Sequence, residues 1–136
     1  KITKVDILDK DGKAKSIFEM GEKIVIQIHY FASQCIHRPI FLVGIRDSNG
    51  TYCVEADSEK DGFNLGSISG KGCVTTVFDN FNLASGTYMV SVALRIKGAV
   101  DYVDILKHVL HFYVESSHYM KGLFYIDRTW QERSYK

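Results

Sequence analysis

Between Lys23 and Phe31 the chain alternates, with Ile24, Ile26, Ile28 and Tyr30 on one face and Lys23, Val25, Gln27, His29 and Phe31 on the other. A period of two is the signature of a β-strand that buries one side. Tyr88, Val90, Val92, Leu94 and Ile96 repeat it most cleanly, and Leu110, Phe112 and Val114 repeat it once more. Residues 2–8, 14–18, 40–47, 51–56 and 74–78 read as further short strands, separated by turn signals at Asp11-Gly12, Gly21-Glu22 and Ser48-Asn49-Gly50. If Asn49 and Gly50 form a two-residue type I′ turn, Arg46 stands opposite Cys53 and Ile45 opposite Val54. Residues 57–72 are polar and glycine-bearing and read as a surface loop. Residues 100–109 suit either a turn or two of helix or a hairpin with a long loop.

About seven to nine short strands with turns roughly every ten residues describe an all-β, antiparallel β-sandwich of immunoglobulin-like or jelly-roll kind. By immunoglobulin analogy, residues 40–47, 51–56, 88–96 and 109–115 share one sheet, and residues 2–8, 22–31 and 73–79 the other. The expected core is Ile24, Ile26, Ile28, Tyr88, Val90, Val92, Leu94, Phe112 and Val114. Near the C-terminus, Phe124, Ile126 and Arg128 alternate with Leu123, Tyr125 and Asp127, and Trp130 follows. A lone strand with such a face exposes an aggregation-prone edge unless it pairs. The polar connection over residues 115–121 is long enough to carry it to another molecule. The expected organisation is therefore a sandwich over residues 1–115 and, in 116–136, a linker with a strand exchanged in a homodimer, Phe124, Ile126 and Trp130 lying at the interface.

At 136 residues and 46% apolar content, the chain fits one domain with a real core. Seventeen basic against sixteen acidic residues leave a net charge of +1, so nothing draws the chain to nucleic acid. No apolar run is long enough for membrane insertion. Cys35, Cys53 and Cys73 are odd in number and widely spaced, which favours reduced thiols and a cytoplasmic setting. The start at Lys1 in place of a methionine reads as a segment of a longer protein.

Catalytic chemistry finds no foothold. Ser67 and Ser69, between Gly66 and Gly70, lack the strand-to-helix context of a nucleophile elbow and read as loop residues. His108 and His111 would share a metal only on a helix, and on a strand they face opposite ways. Asp101 and Asp104 flank a turn, and residues 66–72 lack the ending of a phosphate-binding loop. No metal and no cofactor are expected, and the chain is read as a binding domain, not an enzyme. The outward positions carry Gln27 and His29 on one sheet, and Arg46, Ser91, Arg95, His111 and Tyr113 on the other. Planar donors and acceptors beside aromatic rings suit a carbohydrate, whose hydroxyls need polar partners and whose C–H face packs on a ring.

The succession Phe18-x-x-Gly21-Glu22, Val43-Gly44-Ile45-x-Asp47-x-x-Gly50, Leu83-x-x-Gly86-x-Tyr88-x-Val90, Phe112-x-Val114 and Gly122 to Trp130 resembles the C-terminal carbohydrate-binding domain of Wzt-type ATP-binding subunits. These belong to the ABC transporters that export bacterial O-antigen polysaccharide. The resemblance implies recognition of that glycan, often at its non-reducing end, dimerisation by exchange of the C-terminal strand, a cytoplasmic location beside the inner membrane, and an ATPase module in the same parent chain. Rival readings are a protein-binding sandwich and an accessory module of a carbohydrate-active enzyme.

Overall fold

Alternating apolar positions that must all be hidden at once force the strands into two facing layers. In the computed structural model, which describes residues 1–117 and 120–135, these are β1 (Ile2–Leu8), β2 (Ile17–Glu19), β3 (Ile24–His37), β4 (Pro39–Asp47), β5 (Tyr52–Asp57), β6 (Ser67–Phe78), β7 (Gly86–Ile96) and β8 (Tyr102–Glu115). No helix occurs among the described residues. A three-stranded sheet runs β1-β3-β6 and faces a five-stranded sheet running β2-β8-β7-β4-β5. The strands divide between the sheets as the immunoglobulin analogy expects.

The expected core residues are all buried: Ile24, Ile26 and Ile28 of β3 pack against Tyr88, Val90, Val92 and Leu94 of β7 and Phe112 and Val114 of β8. One end of the core is aromatic. Phe112 stacks on Tyr88 with ring centroids 5.5 Å apart, and meets Phe81 edge-on at 5.4 Å and Phe18 edge-on at 6.0 Å. Such pairs add about 0.5–1.5 kcal/mol each beyond the area they bury. The Leu83-x-x-Gly86-x-Tyr88 motif is held here by its tyrosine, whose Oη donates to the Ala84 carbonyl at 2.5 Å. Burial pushes the Tyr88 hydroxyl up to about 12.

Several boundaries differ from the sequence reading, each for a local reason. The strand expected at 14–18 forms at Ile17–Glu19 and runs parallel to β8, so the larger sheet is mixed. It is fixed by the Tyr113 amide donating to Ser16 O and the Met20 amide to Glu115 O, both at 2.8 Å. The loop expected over 57–72 is shorter. Ile68 is buried and pairs with Ile36, which draws Ser67 and Ser69 into β6 and extends β3 to His37 around a bulge between Ala32 and Ile36. Residues 102–115 are strand and not helix, which makes 96–102 a hairpin connection.

The β4–β5 hairpin departs from a two-residue type I′ turn. Gly50 takes φ +83°, Asn49 stays at negative φ, and the Asp47 amide donates to Thr51 O at 3.0 Å around a three-residue loop. This is a turn followed by a left-handed glycine. The Asp47 carboxylate accepts from the amides of Asn49 and Thr51, both at 2.9 Å. Arg46 consequently pairs with Tyr52, not Cys53, and a register shift then restores the expected pairing of Ile45 with Val54.

The C-terminal segment does not form an extended strand here. Among the described residues its ladder contact is an isolated antiparallel bridge between Leu83 and Phe124, flanked by the Ala84 amide to Leu123 O (2.9 Å) and the Tyr125 amide to Asn82 O (2.7 Å). His118 and Tyr119, in the expected polar connection, and Lys136 lie outside the described residues.

Candidate functional site

Because the inner positions of β4, β7 and β8 fill the core, the residues between them form the outer face of the five-stranded sheet. Paired positions order that face into rows. Ile40, Arg95 and Tyr102 make the first, and Asp57, Leu42, Ala93 and Ile105 the second. Glu55, Gly44 and Ser91 make the third, Tyr52, Arg46, Met89 and His111 the fourth, and Ile17, Tyr113 and Thr87 the fifth. From Arg95 to Thr87 the face extends about 27 Å at roughly 3.4 Å per residue, enough for several sugar residues in a row.

Arg46, Ser91, Arg95, His111 and Tyr113 all lie on this face, whereas Gln27 and His29 lie on the outer face of the other sheet. They do not form one cluster. Arg46 and His111 share a row with Met89 between them, and Tyr113, 43% exposed, sits at the β2 end. Arg95 crosses β4 toward the buried Asp57, Nη2 to Oδ2 at 3.5 Å. The same carboxylate caps the start of the following loop, its Oδ1 accepting the amides of Glu59 (3.0 Å) and Lys60 (3.1 Å). Arg95 thus anchors that loop to the sheet. Ser91 Oγ accepts the His108 amide at 2.9 Å. On the opposite sheet, His29 Nε2 meets Asp6 Oδ2 at 3.0 Å, and Gln27 pairs with Asp6 on one side and Thr75 on the other.

Gly44, Tyr52, Glu55 and His108 also lie on or beside this face but are not among the carbohydrate-binding candidates read from the sequence. Gly44 is buried because Tyr52 lies across it: a Cβ there would fall 2.8 Å from Tyr52 Cζ. Arg46 covers the same ring, Cζ 4.6 Å from its centroid, while its Nη1 donates to Gly50 O at 3.3 Å. Burial, then the Glu55 carboxylate, pushes the Tyr52 hydroxyl up from its ordinary value. His108 belongs to a bulge in β8, where residues 107–109 stand opposite Ser91 alone and His108 takes φ +50°. Strand parity aligns it with Leu106 and Leu110, but the bulge leaves it exposed. No cluster of three or more metal-ligating side chains exists among the described residues.

At the C-terminus, Phe124 and Ile126 are 51% and 61% exposed and Trp130 is 93% exposed. Phe124 lines a cleft with Cys53, Val54, Val77, Phe78 and Phe81, where the sandwich is open between β5 and β6.

A β-sandwich whose five-stranded sheet presents a long outer face of mixed polar, aromatic and aliphatic side chains is the class these observations define. The model of the Wzt C-terminal domain family matches residues 1–126, and the chain belongs to that family. The family is one of non-catalytic C-terminal domains of cytoplasmic ABC transporter subunits, and membership is consistent with a carbohydrate-binding role in O-antigen transport. Among solved structures, the crystal structure of the C-terminal domain of Wzt superposes with a TM-score of 0.84 at 14% identity, covering 98% of this chain and 83% of that one. The CARDB domain of a Pyrococcus furiosus protein gives a TM-score of 0.47 at 12% identity over 83% of this chain and 94% of that one. No curated protein sequence matches the chain. No helix among the described residues is long and apolar enough to cross a membrane.

Proposed function

We propose that this domain binds an O-antigen polysaccharide, through its non-reducing end, on the outer face of the five-stranded sheet. The observation that carries the reading is the family match over residues 1–126, joined to a face on which Arg46, Ser91, His111 and Tyr113 lie in successive rows with Tyr52. In this reading an ATPase module in the same parent chain places the domain at the cytoplasmic side of the inner membrane, where it presents the glycan for export. Sugar hydroxyls exchange ordered water for similar hydrogen bonds, so each site binds weakly, at millimolar to micromolar strength or roughly 4–8 kcal/mol. Two copies raise the apparent affinity by avidity. The C-terminal segment would supply the second copy, by making its Leu83 bridge in trans and placing Phe124, Ile126 and Trp130 at the interface. The test is titration of purified O-polysaccharides into the wild type and single alanine variants. Weakened binding in His111→Ala and Tyr113→Ala supports this face. Loss confined to Gln27→Ala and His29→Ala moves the site to the other sheet.

A further inference from the structure

The chain passes from the three-stranded to the five-stranded sheet through a single residue, Arg38, between His37 of β3 and Pro39 of β4. Its backbone takes φ +50°, which is disfavoured for a residue with a side chain and again for one that precedes a proline. Two hydrogen bonds impose it: the Arg38 amide donates to Gly66 O at 2.9 Å, and the Lys97 amide donates to Arg38 O at 3.0 Å. Strained positions held in this way by their surroundings cluster at ligand sites. The side chain is exposed, and among the described residues neither a carboxylate nor an aromatic ring pairs with it.

Arg38 borders a cleft of about 360 Å³ whose base is apolar, with Pro39 and Ile40 buried and Leu65 half-buried. Phe63 lines it while 53% exposed, and among the described residues no other ring and no cation stacks on Phe63. The loop that carries Phe63 is held by its amide, which donates to Ser58 O at 2.8 Å, and by the Asp57 cap already described. Charge then selects the ligand. Lys97 Nζ meets Glu59 Oε2 at 3.3 Å and the two offset each other, as do Arg95 and Asp57 behind them, so Arg38 leaves the cleft positive. Ile40 also belongs to the row of Arg95 and Tyr102, which makes the cleft continuous with the outer face of the five-stranded sheet.

Resting on the outer-face reading above, we infer that this cleft is a subsite for a sugar residue that carries an anionic group, a carboxylate or a phosphate. The Arg38 guanidinium takes the anion through two parallel N–H donors, Phe63 packs against the C–H face of the sugar ring, and Asn64 offers its amide to the hydroxyls. A neutral sugar in the same place forgoes the charge-assisted pair and binds more weakly.

The experiment is an amide-resolved NMR titration of this chain with the methyl glycoside of glucuronic acid, glucose 6-phosphate, the methyl glycoside of glucose and inorganic phosphate. The expected result is that at least one acidic sugar shifts the amides of Arg38, Phe63, Asn64 and Lys97, and binds about tenfold more tightly than the neutral glycoside. The two acidic sugars separate a carboxylate from a phosphate. Arg38→Gln should abolish the preference for acidic sugar, and Arg38→Lys, which keeps the charge but loses the fork of donors, should retain part of it. Equal affinity for the neutral glycoside, or an unchanged preference in Arg38→Gln, overturns the inference. Inorganic phosphate bound as tightly as the better acidic sugar reduces the cleft to an anion site without sugar recognition and overturns it as well. So does a panel in which no acidic sugar shifts these amides, and the response of His111 and Tyr113 to O-polysaccharide then judges the outer-face reading separately.

Discussion

Tyr52 lies across Gly44, and the two are coupled through space although eight positions separate them in the chain: a methyl group on Gly44 would fall 2.8 Å from Tyr52 Cζ. Gly44→Ala should therefore displace the ring while leaving the fold intact. Replacing glycine in a strand favours the folded state by about 0.5–1 kcal/mol, which offsets part of the lost ring contact. The expected net change in stability is under about 1 kcal/mol, because these two effects oppose each other. Urea unfolding reads the stability, and the Tyr52 ring resonances read the displacement. Unchanged resonances in Gly44→Ala would break the proposed coupling.

The aromatic end of the core should be the most sensitive part of the sandwich. Phe112 is 2% exposed and touches Phe18, Phe81 and Tyr88. Phe112→Ala should cost about 3–5 kcal/mol, the range for deleting a buried aromatic ring. Chemical denaturation checks it, and a loss below 1 kcal/mol would mean that the ring is not packed as described.

Tyr88 gives the domain an alkaline limit. Its hydroxyl is raised from the ordinary value of 10.0 to about 12 by burial, so the neutral form is the one the fold favours. That contribution is complete below about pH 10 and is lost as pH rises through the folded-state value. Tyr88→Phe should cost about 0.5–1.5 kcal/mol at neutral pH through the lost bond to Ala84 O. It should also flatten the fall in stability between pH 10 and 12, as followed by denaturation at each pH.

Truncation after Ser117 tests the proposed exchange of the C-terminal segment between two copies. The sandwich strands end at Glu115, so the shortened chain keeps every strand and loses the bridge at Phe124 with the hydrogen bonds to Asn82 and Ala84 that flank it. A folded monomer from the truncated chain, beside a dimer from the full one in light scattering, is the expected outcome. A dimer that survives truncation would place the interface elsewhere.

The period-two runs made the sheets and the nine expected core positions legible because one buried face fixes side-chain parity, whereas Phe81 and Leu83, buried outside the strands, carry no such signal. The face was legible less evenly. Ser91, His111 and Tyr113 fall between core residues and could be read directly. Tyr52 could not, because its side depends on the loop length at Gly50, and a type I′ turn would have turned it inward. His108 was hidden by a bulge for which the sequence has no marker, since a non-glycine residue at positive φ follows from packing around Ser91 and not from local propensity. The parallel pairing of β2 with β8 is a matter of chain path, to which a three-residue strand gives no clue.

The central claim is that the outer face of the five-stranded sheet takes the glycan. Calorimetric titration of one O-polysaccharide that binds the wild type, with its native non-reducing end, into two double variants tests it most directly. Tyr52→Ala with Tyr113→Ala should abolish detectable heat, while Gln27→Ala with His29→Ala should retain the wild-type affinity. The reverse pattern, with binding lost in the second variant and kept in the first, would contradict the account.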